Sequence, residues 1–195
     1  MHIADGILPV GACAGAYAVS LAGVYGSSRR VSPSEMSRMG LLAAAAFTAS
    51  LIHFPLAGTS VHLGLFGLLG IVLRSRAFPV VFAALLFQTL LFQHGGLLSL
   101  GVNSLNMGVG AVCGWLIWSI GGLSDGVRGF AAGFLGVWIP AVLMATEFAL
   151  SGYGKGFFFI VGIYAVAAAV EGALTAAMVG FFRRAKPEVL QPAHA

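Results

Sequence analysis

The chain opens Met1-His2 and continues Ile3-Ala4-Asp5-Gly6-Ile7-Leu8-Pro9. An amine one residue ahead of a histidine is a chelator. The Met1 amine, the deprotonated amide nitrogen of His2 and the His2 imidazole close two fused rings on one cation. Such an all-nitrogen, planar set suits Ni²⁺, Cu²⁺ or Co²⁺ better than hard cations. A residue as large as His2 is expected to protect Met1 from trimming. No basic n-region and no cleavage signature precede the first apolar run, so no signal peptide is expected. The other histidines are His53, His62, His94 and His194. Any one of them, taken singly, reads as an interfacial side chain bonded to a backbone carbonyl. Their meaning depends on the elements that carry them.

Those elements are membrane spans. Of the 195 residues 59% are hydrophobic and only 8% charged, where a soluble domain carries roughly 25% charged residues. The 28 glycines suit close helix approach in a bilayer. Cys13 and Cys113 lie in apolar runs with no CxxC pair, which indicates neither a disulfide framework nor a thiolate metal site. The net charge of +4 sits in loops and points to no nucleic-acid partner. We expect an all-α integral membrane protein of about seven transmembrane helices, over 7–26, 38–56, 59–74, 77–94, 102–123, 127–151 and 157–182. A full span needs about 20 residues, so the third and fourth are short. The third is expected to tilt or to begin as irregular backbone. Residues 1–182 form a single membrane domain, and 183–195 a short cytoplasmic tail without a motif.

Charge sets the orientation. Arg29, Arg30, Arg38, Arg74, Arg76, Arg128, Arg183, Arg184 and Lys186 all fall on one side of these spans, and Lys155 alone on the other. The positive-inside rule puts the C-terminus in the cytoplasm and the N-terminus outside, in a multi-pass protein of the cell inner (plasma) membrane. His2, His53, His62 and His94 then gather at the outer face, with His194 in the tail. Four histidines on one side, with a chelating terminus among them, point to a metal site open to the exterior. Glycine-rich outer segments surround it, Gly58-Thr59-Ser60-Val61-His62 and Gln93-His94-Gly95-Gly96. Such backbone at membrane depth must be buried in protein or line a cavity. Asn103 and Asn106 share one helix face. They either hydrogen-bond metal-ligating imidazoles or, at Asn103 and Ser104, cap a helix. Glu147 and Glu171 are intramembrane carboxylates, by default functional candidates.

Three segments carry a resemblance: the opening residues, Pro55 to Leu63 (PLAGTSVHL) and Phe92 to Gly108 (FQHGGLLSLGVNSLNMG). In this order they resemble the CbiM/NikM family, the substrate-capture (S) components of energy-coupling-factor (ECF) transporters for cobalt and nickel. The resemblance implies that Co²⁺ or Ni²⁺ is the transported substrate, for cobalamin synthesis or a nickel enzyme, with no permanent cofactor. It implies four metal-binding nitrogens in a square plane, from the Met1 amine, the His2 amide and imidazole, and His62. Asp5, Asn103 and Asn106 match the supporting polar network, and Glu171 resembles a glutamate of the last span. Many relatives carry an acidic residue where this chain has His94. That position and His53 are therefore candidates for an extra ligand. The resemblance also implies partners: a CbiQ/NikQ-like membrane coupling protein, two CbiO/NikO-like ATPase subunits, and often a small accessory membrane protein (CbiN- or NikN/NikL-like). The chain itself has no phosphate-binding Gly-x-x-x-x-Gly-Lys-Ser/Thr loop and is read as a transporter subunit, not an enzyme.

Three rival readings fit the residues less well. An intramembrane metal-dependent enzyme would want a His-Glu-x-x-His pair, which is absent. A secondary transporter would show internal repeats, and none is visible. An S component for a vitamin-like substrate would leave Met1-His2 and His62 unexplained.

Overall fold

The computed structural model describes residues 2–56, 59–153 and 156–191, with backbone only for His53, Pro55, Leu56, Thr59 and Ser60. Seven α-helices are present among them: α1 (Val10–Ser28), α2 (Pro33–Ser50), α3 (Phe66–Leu73), α4 (Ala77–Phe92), α5 (Leu100–Trp118), α6 (Asp125–Leu150) and α7 (Phe157–Ala185). A hairpin of two short strands, β1 (His53–Leu56) and β2 (Thr59–His62), lies between α2 and α3. Among the described residues five segments are long and apolar enough to cross a membrane. They are α1, Phe66–Phe92, α5, α6 and α7.

The third expected span is where sequence and structure part. Residues 59–62 are strand, not helix, and α3 has only eight residues, all buried. At about 1.5 Å per residue it is about 12 Å long, well short of a bilayer. Its start is fixed by Leu65, which adopts a left-handed conformation (φ 54°). Its end is fixed by Arg74, also at positive φ (57°), which leads into a 3-10 turn and α4. The second expected span, α2, is not among those five segments, and its start also moves. Helix α2 begins at Pro33 rather than 38, because Ser32 and Glu35 form a reciprocal capping box around Pro33 in the first turn, a strong start signal.

Helix α3 packs between α5 and α6. The close approach rests on missing side chains: a Cβ on Gly136 would lie 2.6 Å from the Gly67 nitrogen, and one on Gly114 2.7 Å from the Gly67 Cα. Real Cβ atoms do not come that close, so only glycine permits the crossing. Helix α7 lies along α6, and α1 packs on α4 and α5.

Two ends result. At one, Arg38 donates to the carbonyls of Val72 and Val189 (3.2 and 2.6 Å), and Arg76 donates to those of Ser27 and Arg29. Arg183 and Arg128 pair there with Asp125. Helix α7 runs to Ala185, and residues Pro187–Leu190 fold back as a 3-10 turn that buries Leu190. At the other end lie His2, the hairpin and His94.

Candidate metal centre

Three elements each bring one imidazole to a common point. Coordinating atoms of His2, His62 and His94 all lie within 4.8 Å of one another. Rings of His2 and His62 are nearly stacked, with centroids 4.9 Å apart and planes at 23°. The His94 ring stands 4.5 Å from that of His2 at 47°, and 5.5 Å from that of His62 at 70°.

His2 is held by a backbone strap. The Ile3 N–H donates to Asn103 Oδ1 (2.8 Å), and Asn103 Nδ2 donates back to the Ile3 carbonyl (2.9 Å). A side-chain amide thus pairs with Ile3 as a β-strand neighbour would, and Ile3 is fully buried (0% exposed). The Ser99 hydroxyl lies 2.7 Å from the Ile3 carbonyl and 2.9 Å from Asp5 Oδ1, sharing its one proton between two acceptors. Asp5 also accepts the backbone N–H groups of Ser99 (2.8 Å) and Leu98 (3.2 Å). Those are orphan donors at the start of α5, where a carboxylate is favoured by the helix dipole. Partial burial pushes the Asp5 carboxyl upward. The hydrogen bonds from Ser99 and Leu98 outweigh it, and the group ends below its ordinary 3.8.

His62 ends β2, and its backbone pairs with His53 across the hairpin. The following turn is anchored from α7: buried Glu171 accepts the N–H groups of Gly64 and Leu65. His62 Nδ1 lies 3.0 Å from the Leu63 carbonyl, and its Nε2 lies 3.0 Å from His2 Nε2. A carbonyl only accepts, so His62 carries its proton on Nδ1. In the neutral rings the contact between the two Nε2 atoms then requires that His2 carry its proton on Nε2. The lone pairs accordingly sit on His62 Nε2 and His2 Nδ1. Those are the two nitrogens that a terminal chelate with a second imidazole as its fourth ligand would use.

His94 follows the end of α4. Gln93 turns left-handed (φ 52°), the His94 N–H closes on the Gln88 carbonyl (3.3 Å), and the Thr89 hydroxyl donates to the His94 carbonyl (3.1 Å). Gly95 continues at φ 85°, a conformation that favours glycine, and passes close to the His2 ring. Beside His2 and His94 opens a cleft of about 370 Å³, bounded by Met144, Phe148, Tyr153 and Tyr164.

The sequence-derived candidates divide accordingly. His2, His62 and His94 converge; Asn103 and Asp5 hold the strap rather than a ring. Asn106 donates to Glu147 (2.8 Å) in the bundle, and Glu171 serves the His62 turn. Met1 lies outside the described residues, as does the side chain of His53. Sequence reading missed Ser99 and the Leu63 carbonyl. A serine just ahead of an apolar helix is a capping signal, so Ser99 was within its reach. A backbone carbonyl carries no sequence signature.

A helical membrane protein with three convergent imidazoles at one end belongs among metal-handling membrane proteins. Comparison makes that specific. A family model described as CbiM, the cobalt uptake substrate-specific transmembrane region, matches residues 2–189, and the chain belongs to that family. It is 35% identical to the cobalt transport protein CbiM of Geobacter sulfurreducens over 97% of its own length and 61% of that protein's. It is 32% identical to a putative fused nickel transport protein NikMN of Archaeoglobus fulgidus, over 98% of this chain and 68% of that one. The chain therefore spans roughly two thirds of those two proteins. A CbiM of Sorangium cellulosum is 32% identical, over 97% of this chain and 94% of that one. A solved transition metal transporter superposes with a TM-score of 0.83 at 25% identity, covering 97% of this chain and 93% of that one. The relatives are named as cobalt and nickel transport proteins, and this chain is a multi-pass member of their family.

Proposed function

We propose that this chain captures Co²⁺ or Ni²⁺ with high affinity at its histidine end and delivers it inward as the S component of an ECF transporter. The observation that carries this reading is the convergence of the His2 and His62 imidazoles, with His94, within 4.8 Å of one another. When one ion takes His62 Nε2, His2 turns about its Cβ–Cγ bond so that Nδ1 faces the same ion. The His2 amide and the Met1 amine then complete the four-nitrogen plane. Two nitrogens about 2.0–2.1 Å from one ion and at right angles to each other are about 2.9 Å apart. The two Nε2 atoms now stand 3.0 Å apart, and the turn of His2 exchanges that contact for one between its Nδ1 and His62 Nε2.

Asn103, Ser99 and Asp5 fix the terminus against α5, so little chain entropy is left to lose on binding. The histidine end faces the exterior and the basic end the cytoplasm of the inner membrane. The single membrane domain is 1–182, followed by the tail 183–195. Energy comes from CbiQ/NikQ-like and CbiO/NikO-like partners, with a CbiN- or NikN/NikL-like accessory protein. The metal is cargo, no resident cofactor is needed, and this subunit catalyses no reaction.

Calorimetric titration of Ni²⁺ and Co²⁺ into protein with a native N-terminus tests this. Binding at 1:1 is expected, and it is lost in His2→Ala, in His62→Ala and in protein carrying an uncleaved extension before Met1. Unchanged binding in the extended protein would remove Met1 from the site. Unchanged binding in both histidine variants would overturn the chelate.

A further inference from the structure

His2 and His62 present nearly parallel rings, as neighbours in one coordination plane can. The His94 ring is inclined at 47° and 70° to them, yet its nitrogen falls within the same 4.8 Å cluster. With the four in-plane positions taken by the terminal chelate and His62, a third imidazole of this cluster can reach the ion only from above or below the plane. We propose that His94 is an axial fifth ligand and that it tips the site toward Co²⁺ over Ni²⁺. This rests on the reading that His2 and His62 hold the metal.

The backbone argues for a placed ligand rather than a passing ring. Left-handed Gln93, the His94 N–H on Gln88 and the Thr89 hydroxyl on the His94 carbonyl fix where the side chain leaves the chain. Gly95 next to it lies against the His2 ring. The preference follows from electron count. A d⁸ Ni²⁺ ion in a strong four-nitrogen plane pairs its electrons and gains little from a fifth donor, which is why planar nitrogen sites suit Ni²⁺ and Cu²⁺. A d⁷ Co²⁺ ion has no such closed planar arrangement and gains from the axial nitrogen. An axial imidazole therefore raises the affinity for Co²⁺ more than for Ni²⁺.

The test is X-ray absorption of the Co²⁺-loaded protein beside His94→Ala and His62→Ala, with calorimetric titrations of both metals. Wild type is expected to show five nitrogen neighbours, three of them imidazoles by outer-shell scattering. His94→Ala is expected to keep 1:1 binding, lose one imidazole, and lose more affinity for Co²⁺ than for Ni²⁺. Identical spectra for wild type and His94→Ala, with binding still abolished in His62→Ala, would overturn the axial ligand and leave the capture function standing. Equal losses for the two metals would overturn the preference. Binding that persists in His62→Ala would overturn both.

Discussion

Asn103 offers the sharpest test of how the terminus is held. Its amide makes both hydrogen bonds to Ile3, at 2.8 and 2.9 Å, and both partners are buried. Water cannot take over the Ile3 N–H when the amide is removed. The Ile3 carbonyl retains the Ser99 hydroxyl (2.7 Å), so the N–H bears most of the loss. Two such bonds contribute about 1–3 kcal/mol together. If the strap must be seated for metal to bind, the whole amount appears in the binding constant, which weakens by about 5- to 150-fold. Asn103→Leu keeps nearly the same side-chain shape without the amide. Asn103→Ala adds a small cavity. Both are expected to weaken Ni²⁺ and Co²⁺ binding alike in calorimetric titration, while thermal unfolding separates any general loss of α5 packing. Affinities equal to wild type in both variants, or tighter, would refute the idea that this clamp presents the chelating residues.

Other positions give separate checks. A methyl group on Gly96 would collide with the Asp5 carboxylate; Gly96→Ala should therefore expel Asp5 from the start of α5 and weaken metal binding roughly tenfold, for about 1.4 kcal/mol of lost capping. Glu171→Ala leaves the Gly64 and Leu65 N–H groups without their acceptor and should cost about 3 kcal/mol of stability, whereas Glu171→Gln keeps one acceptor oxygen and should recover much of it, as thermal unfolding in detergent would register. The Asp5 carboxyl lies below its ordinary 3.8 when folded, so its contribution to seating the strap is complete above that pH and disappears as pH falls through the lower folded value. Protection of the Leu98 and Ser99 amides from hydrogen exchange, taken against the free-chain rate at each pH, should accordingly fall in acid in wild type and not change with pH in Asp5→Asn.

Much of this was readable in the chain because the signals were local. Apolar runs place α4 to α7 within a few residues, and the asymmetry of arginine foretells which helix ends meet. His2, His62 and His94 sort to one end by the same alternation. The failures have physical causes. Val61-His62-Leu63-Gly64-Leu65 continues the apolar run into α3, so hydropathy alone merges a hairpin strand with a helix. What separates them is Glu171, 107 positions away, holding the turn from another helix. Asn103 shows the same limit: as an isolated residue it reads equally as a cap or a ligand support. Only the return of Ile3 to its amide, 100 positions distant, decides its work. At α2 the shortfall was avoidable, since Ser32-Pro33-Ser34-Glu35 spells a helix start that hydropathy passes over.

The glycine-lined seat of α3 bears on how such a protein can move. One end of this short rod carries the turn after His62, and the other supplies the Val72 carbonyl to the Arg38 clamp. With Gly67 against Gly136 and Gly114, the rod has no slack on either side. It works as a short pin within the bundle, seated between α5 and α6 and tied to the turn after His62 at one end and to Arg38 at the other. Rocking one half of the helices against the other would shear that pin out of its seat. Any movement that keeps the helices fixed relative to one another leaves every contact of the pin in place.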